Sequence, residues 1–338
     1  MASEHEALMA SNYQIEQAGI ESRLMGDHEP LSPDHFFISA HTLKKALDQK
    51  MDSLIVLDVT RGKGNYQLDQ TRVASDYAKG HIPGATHFNT DELGEFKDYL
   101  LEPDLLKERF LAKGITKDTF LVVYSIYARD ILYIASRVAF AAYYLGVDQV
   151  KILDGGLQAW QRAGFELEYG EKSDKSAQDF GCDVPKRPEI YIKRPEDLLN
   201  YREEHPKAIL ASVRTWKEYL GVNEGHAWNK GVGEIAGARY LGDERLANIQ
   251  GYIANSDVYQ PQWEQWGLTR DQEIVLYCGT SWRSSTAFFV MKQLGYKHLA
   301  MFDGSWFKWY QAHLENPKRF PIQRGNPMGQ PPLEFIDF

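Results

Sequence analysis

The feature that most constrains the fold of this chain is an internal duplication. Leu57-Asp58-Val59-Thr60 is echoed by Ala211-Ser212-Val213-Arg214, and the turn Gly80-His-Ile-Pro-Gly-Ala85 by Gly233-Glu-Ile-Ala-Gly-Ala238. Further on, Tyr124-Ser125 matches Tyr277-Cys278, and Asp154-Gly155-Gly156 with Trp160 matches Asp303-Gly304-Ser305 with Trp309. Four motifs recurring in one order mean that one architecture is built twice. The offset between matched residues is 154 from Asp58 to Ser212, 153 from Tyr124 to Tyr277 and 149 from Asp154 to Asp303. The first copy therefore carries four extra residues between its tyrosine and its Asp-Gly pair.

Within each copy short apolar runs alternate with helical patterns. In the first copy the spacing predicts helices over 41–49, 73–79, 93–113, 130–145 and 156–163, and strands over 54–58, 119–124 and 149–153. Such alternation implies an α/β fold with an open, mostly parallel sheet flanked by helices, present in tandem. The expected division is an N-terminal arm or linker over 1–30, a first domain over 31–168, a polar linker over 169–188, a second domain over 189–315 and a C-terminal tail over 316–338.

The copies differ at one decisive position. The second has Tyr277-Cys278-Gly279-Thr280-Ser281-Trp282-Arg283-Ser284, in which an apolar strand ends, a loop of small residues follows and a helical pattern begins. A cysteine at such a junction faces successive backbone N–H groups and the positive end of a helix, an arrangement that favours a thiolate and holds anionic oxygens. Gly, Thr, Ser and Arg directly after the cysteine are poor core residues, which argues against a buried inert thiol. The first copy has Ser125 there and a loop of another size, Ser125-Ile-Tyr-Ala-Arg-Asp130, with no evident base to activate the hydroxyl. It is expected to be a scaffold.

Bulk properties remove competing classes. The 338 residues carry a formal net charge of -9, which disfavours nucleic acid and anionic membranes as partners and means that an anionic substrate needs a local positive pocket. The 2 cysteines, Cys182 and Cys278, form no disulfide framework and have no neighbouring zinc ligands. No metal site is expected, and Cys182 reads as an ordinary linker thiol. No apolar run reaches transmembrane length. The first residues lack a signal-peptide pattern. The expected location is cytoplasmic as the sequence stands, or periplasmic if an export signal has been removed.

These motifs resemble the tandem-domain rhodanese-like sulfurtransferases over roughly residues 35–315. The turn at Gly80–Ala85, the run Val150-Lys-Ile-Leu-Asp-Gly-Gly-Leu-Gln-Ala-Trp160, the segment Phe302-Asp-Gly-Ser-Trp306 and the Cys278 loop carry the likeness. The Cys-Gly-Thr-x-Trp-Arg loop is similar to a bacterial branch whose members can carry a third, N-terminal domain. The resemblance implies two rhodanese-like domains, the first without the catalytic cysteine, and a double displacement in which Cys278 takes a sulfane sulfur from thiosulfate or 3-mercaptopyruvate as a persulfide. A thiophilic acceptor, cyanide or a thiol, then removes it. No cofactor is implied. The partners are a small anionic donor, the acceptor and a thiol reductant protein. Arg214 matches the family's substrate-binding arginine. Gly279, Thr280, Ser281, Trp282, Arg283 and Ser284 are expected to line the donor site through amides, hydroxyls and charge. Arg239 is a weaker candidate and His81 a structural residue.

Three departures stand out: Ser212 replaces the family's usual Asp, and Glu234 and Ala236 replace its His and Pro. They put in doubt the polar network those residues would form. Two other functions fit part of the pattern. A persulfide carrier receiving sulfur from another protein uses the same thiol, and a cysteine-dependent phosphatase or arsenate reductase uses a loop of N–H groups with an arginine. The latter needs Cys-x5-Arg, whereas Cys278 and Arg283 are separated by four residues.

Overall fold

The computed structural model describes residues 35–60, 77–95, 97–126, 131–225, 231–243, 245–247, 251–328 and 334–336. Two five-stranded sheets form, one from each copy, and every strand pairing within them is parallel. The first contains β1 (Phe37–Ile38), β2 (Leu54–Thr60), β3 (Thr86–Asn89), β4 (Phe120–Ser125) and β5 (Gln149–Leu153), in the order β1-β5-β4-β2-β3. The second copy begins with β6 (Tyr191–Ile192) and β7 (Ile209–Ser212), and its turn carries β8 (Glu234–Ile235) and β9 (Arg239–Tyr240). Next come β10 (Glu273–Tyr277) and β11 (His298–Phe302), giving the order β6-β11-β10-β7-β9. This is the same topology with β8 left out of the sheet. It instead joins β12 (Ile322–Arg324) and β13 (Glu334–Ile336) in a small antiparallel sheet, so part of the tail pairs with the turn.

Registers match the duplication. Asp58 pairs with Tyr124 on β2 and β4, and Ser212 with Tyr277 on β7 and β10. Central parallel strands are covered on both faces, and accordingly β4 is buried along its whole length and β10 at all but its first residue. Each copy also satisfies its large aromatics in the same way. Tyr77 donates to the Ala85 carbonyl and Tyr219 to the Ala238 carbonyl, both at 2.7 Å. Trp160 and Trp309 are buried, and their indole N–H groups donate to Glu166 and Pro321 carbonyls.

The expected helix over 93–113 is interrupted. A single 3-10 turn (Thr90–Leu93) stops at Gly94, whose φ of +122° a side chain would strain. The helix restarts only at Pro103, a residue suited to a first helical position, and runs to Ala112. The helices at 40–48, 131–145 and 156–162 lie close to expectation, while 73–76 and 127–130 fall outside the described residues.

The chain packs as two compact units whose membership crosses the repeat boundary. One comprises residues 1–93, 101–186 and 245–261, and the other 94–100, 187–244 and 262–338. In the first, the Ile253 amide donates to the Asp154 carboxylate at 2.7 Å; in the second, the Leu100 amide donates to the Asp303 carboxylate at 2.9 Å. Asp154 and Asp303 are the equivalent acids of the two Asp-Gly motifs, so each anchors a segment from the other repeat. Among the described residues no helix is long and apolar enough to cross a membrane. Removing a buried charged acceptor leaves its donor unsatisfied. We predict that Asp154→Ala costs about 1–3 kcal/mol of stability. Chemical denaturation would show this as an earlier midpoint at unchanged m-value; an unmoved midpoint would mean that the contact contributes nothing.

Candidate active site

The loop from Cys278 to Ser281 joins β10 to the helix Trp282–Gln293. Parallel strands deliver their carboxyl ends to one edge, which places Cys278 where ligands bind in open α/β sheets. By position, the amides of the loop and of the first helical turn have no intrahelical carbonyl to donate to. Two amides of the next helix stitch the loop down: Trp306 N–H donates to the Cys278 carbonyl and Phe307 N–H to the Gly279 carbonyl, each at 3.0 Å. Cys278 is only 1% exposed, and the Ser284 hydroxyl lies 3.8 Å from its Sγ.

Below the loop lies a buried set of charges. Arg283 is gripped at both nitrogens by Glu218, Nη1 to Oε2 at 2.7 Å and Nη2 to Oε1 at 3.0 Å, while Asp243 takes Nη1 at 3.1 Å. Glu218 also lies 3.5 Å from Nε of Arg214, and Glu234 lies 3.3 Å from its Nη1. Arg214 is fully buried, donates to the Gly233 carbonyl at 2.6 Å and stacks over the Trp306 ring at 4.7 Å. Its Nε and Nη2 make no hydrogen bond to the protein. Since Trp306 also holds the Cys278 carbonyl, the geometry ties Arg214 to the cysteine loop through one residue.

Burial alone would push the Glu218 carboxyl up, but the charge and hydrogen bonds of Arg283, with Arg214 beside them, hold it well below the usual carboxylate range. For Arg283, the carboxylates of Asp243 and Glu218 outweigh desolvation and fix the guanidinium as charged. Glu234 goes the other way: complete burial raises it, although Arg214, Ser212 and Tyr277 oppose the shift.

The sequence-derived candidates divide by what they touch. Cys278, Ser284 and Arg283 come together, and Arg214 reaches the same charge cluster. Arg283 does not face the loop mouth as a spare cation, because its guanidinium is taken up by Glu218 and Asp243. The Ser281 hydroxyl, expected to reach substrate, instead points inward to the Phe302 and Asp303 carbonyls at 3.0 and 2.9 Å. A buried hydroxyl takes the nearest acceptors. Thr280 is 8% exposed and Trp282 half-buried. Arg239 is engaged with the carbonyls of Trp266 and Gly267. His81, in the first unit, stacks on Tyr77 at 3.9 Å.

Sequence reasoning missed Glu218, Asp243, Ser305 and Trp306. Thr215-Trp-Lys-Glu218 spacing does mark a capping box, and both of its hydrogen bonds form, but that signal says nothing of the grip on Arg283. Among the described residues no grouping of His, Cys, Asp and Glu suits a metal ion.

Comparison with known proteins bears on the whole arrangement. The rhodanese-like domain model matches residues 39–163 and again 194–312. The chain is 34% identical over 252 residues to the thiosulfate sulfurtransferase YnjE of Escherichia coli, covering 71% of this chain and 56% of the relative. The crystal structure of YnjE superposes with a TM-score of 0.74 at 29% identity, over 86% of this chain and 68% of that one. The sulfur carrier protein TtuD of Thermus thermophilus is 30% identical, over 69% of this chain and 83% of the relative. The 3-mercaptopyruvate sulfurtransferase of Escherichia coli is 25% identical, over 81% and 94% respectively. With two matched domains covering most of its length, this chain belongs to the rhodanese-like family, in its tandem-domain form.

Proposed function

We propose that this chain is a sulfurtransferase that moves a sulfane sulfur from a small anionic donor to a thiophilic acceptor through a persulfide on Cys278. The observation that carries the reading is a thiol at a strand end, where a loop leads into a helix N-terminus, tied through Trp306 to a buried arginine whose Nε and Nη2 make no hydrogen bond to the protein. The Cys278 thiolate attacks the outer sulfur of thiosulfate; its S–S bond breaks and sulfite leaves with the electron pair. With 3-mercaptopyruvate the C–S bond breaks instead, and the pyruvate enolate leaves and takes up a proton. In either case the Cys278 persulfide remains, and its terminal sulfur is attacked by cyanide or a thiol, which restores the thiolate. Loop amides stabilise the anionic sulfur at each stage, and Arg214 takes the donor's oxyanion. None of these steps calls for a metal or an organic cofactor.

A second reading, persulfide carriage for a partner protein, draws support from the similarity to a sulfur carrier and from the near-complete burial of the thiol. Turnover with thiosulfate and cyanide separates the two, since a carrier would stop after one sulfur per thiol without its partner. The phosphatase reading loses ground: its arginine must clamp a phosphoryl group with both nitrogens, and Arg283 spends both on Glu218.

Three outcomes test this proposal. Cys278→Ser should abolish thiocyanate formation. Arg214→Ala should raise the donor KM roughly tenfold or more, the scale of a lost charge-assisted hydrogen bond, with Cys278 still open to alkylation; an unchanged KM would remove Arg214 from the donor site. The third concerns Glu218, whose folded pKa is depressed. Its stabilising effect is present above the unfolded value of about 4.3 and is lost as pH falls toward the folded one. Thermal scans from pH 6 down to about 2 should therefore fall more steeply for the parent chain than for Glu218→Gln; parallel curves would refute the assignment.

A further inference from the structure

Two serines of the second repeat occupy backbone conformations that favour glycine. Ser281 has φ of +64° and Ser305 φ of +50°. A non-glycine residue in the left-handed region is strained, because its Cβ crowds the following carbonyl oxygen. The first repeat shows the unstrained solution: the residue matching Ser305 is Gly156, with φ of +57°. The turn thus needs no side chain, yet the copy with the nucleophile has one.

What that side chain does is visible in its contacts. Ser281 and Ser305 are both completely buried, and their hydroxyls lie 2.8 Å apart. The Cys278 amide donates to Ser305 Oγ at 3.2 Å. Ser281 Oγ in turn reaches the Asp303 carbonyl at 2.9 Å. One assignment of the two hydroxyl protons satisfies the whole chain, running from Cys278 N–H to Ser305, from Ser305 O–H to Ser281 Oγ, and from Ser281 O–H to the Asp303 carbonyl. Chains of this kind strengthen one another when water is excluded. Ser285 adds a lock on the far side, its amide and hydroxyl both donating to the Ser281 carbonyl, at 3.2 and 2.7 Å.

We infer that Ser281 and Ser305 form a hydroxyl clasp that positions the Cys278 nucleophile, with backbone strain retained at both residues to keep the clasp closed. The inference rests on the reading of Cys278 as the sulfur-accepting group. By holding the Cys278 amide, Ser305 fixes the direction in which the thiol leaves the strand and keeps that N–H out of the loop's anion cradle. Ser281, at the junction of loop and helix, fixes where the following amides point. Neither hydroxyl touches the reacting sulfur, so both are positioning residues.

The test is to replace Ser305 by glycine in the full-length chain and to read three quantities. Ser305→Gly relieves the strain but leaves the Cys278 amide without its acceptor, so the two effects oppose each other and the thermal midpoint should stay near that of the parent chain. Misplacing the nucleophile should lower kcat for sulfur transfer roughly tenfold with the donor KM within about twofold, and should slow Cys278 alkylation by iodoacetamide at fixed pH by several-fold. Ser281→Gly should do the same, and the double variant should lose little more than either single one, because the two hydroxyls act as a unit. Wild-type kcat and alkylation in Ser305→Gly would overturn the inference, as would losses in the single variants that simply multiply in the double one. So would a fall in midpoint that accounts for the loss of activity. If the parent chain transfers no sulfur, the functional reading fails, and the alkylation rates still report on the clasp.

Discussion

The constraint on which the site depends is the cost of burying a guanidinium. Arg283 lies in the first turn of the helix after the cysteine loop and is only 8% exposed, so its charge needs opposite charge beside it. Glu218 meets it with both oxygens and Asp243 adds a third contact. The pairing locks the loop onto the short helix Trp216–Tyr219, and Glu218 then lies close to Arg214 as well. Two arginines thus face three carboxylates, Glu218, Asp243 and Glu234. Glu234 is raised by its complete burial, which Arg214, Ser212 and Tyr277 oppose.

The departures from the family pattern are reconciled by the same bookkeeping of charge. In the first repeat Asp58 on β2 is the buried carboxylate, in register with Tyr124 near the end of β4, whose phenol burial and the Asp58 charge push up. In the second, the strand position is Ser212 and the carboxylate sits on the turn as Glu234, which takes hydrogen bonds from both Ser212 and Tyr277. Each repeat therefore buries one acid against its strand-end tyrosine, supplied from the strand in one and from the turn in the other. The polar network is not lost; it is rebuilt with the acid moved to a place where it also meets Arg214.

Much of this was legible in the sequence because duplication and hydrophobic alternation act locally. The strands at 149–153 and 273–277 and the cysteine at a strand-to-helix junction follow from the pattern of apolar residues and breakers. What escaped was decided by distant partners. The interrupted helix after Leu93 looked continuous because its apolar spacing persists, but Gly94 and Pro103 divide it. Nothing local shows that residues 94–100 belong to the other unit. Arg283 read as a free charge for the same reason, since its two acids lie 65 and 40 residues away. Nothing in the sequence marks the serine that stands in place of glycine after the Asp-Gly motif as costly, and only its positive φ does.

The crossed membership of the two units bears on why a copy without a thiol remains. Leu100 and Ile253 are 153 residues apart, the offset of the turn and of the strand-end tyrosine, so the borrowed segments are themselves part of the duplication. In the second unit the Asp303 carboxylate accepts from Leu100 N–H and from the Tyr191 hydroxyl, while its main-chain carbonyl accepts from Ser281 in the cysteine loop. A stretch of the first repeat thus holds the residue that holds the loop. Deleting the first repeat would take away one of the two donors that hold a buried carboxylate whose own carbonyl anchors the cysteine loop, leaving only the Tyr191 hydroxyl of that pair. On this argument the first repeat is kept for a backbone segment, and the chemistry of its own strand end is free to lapse.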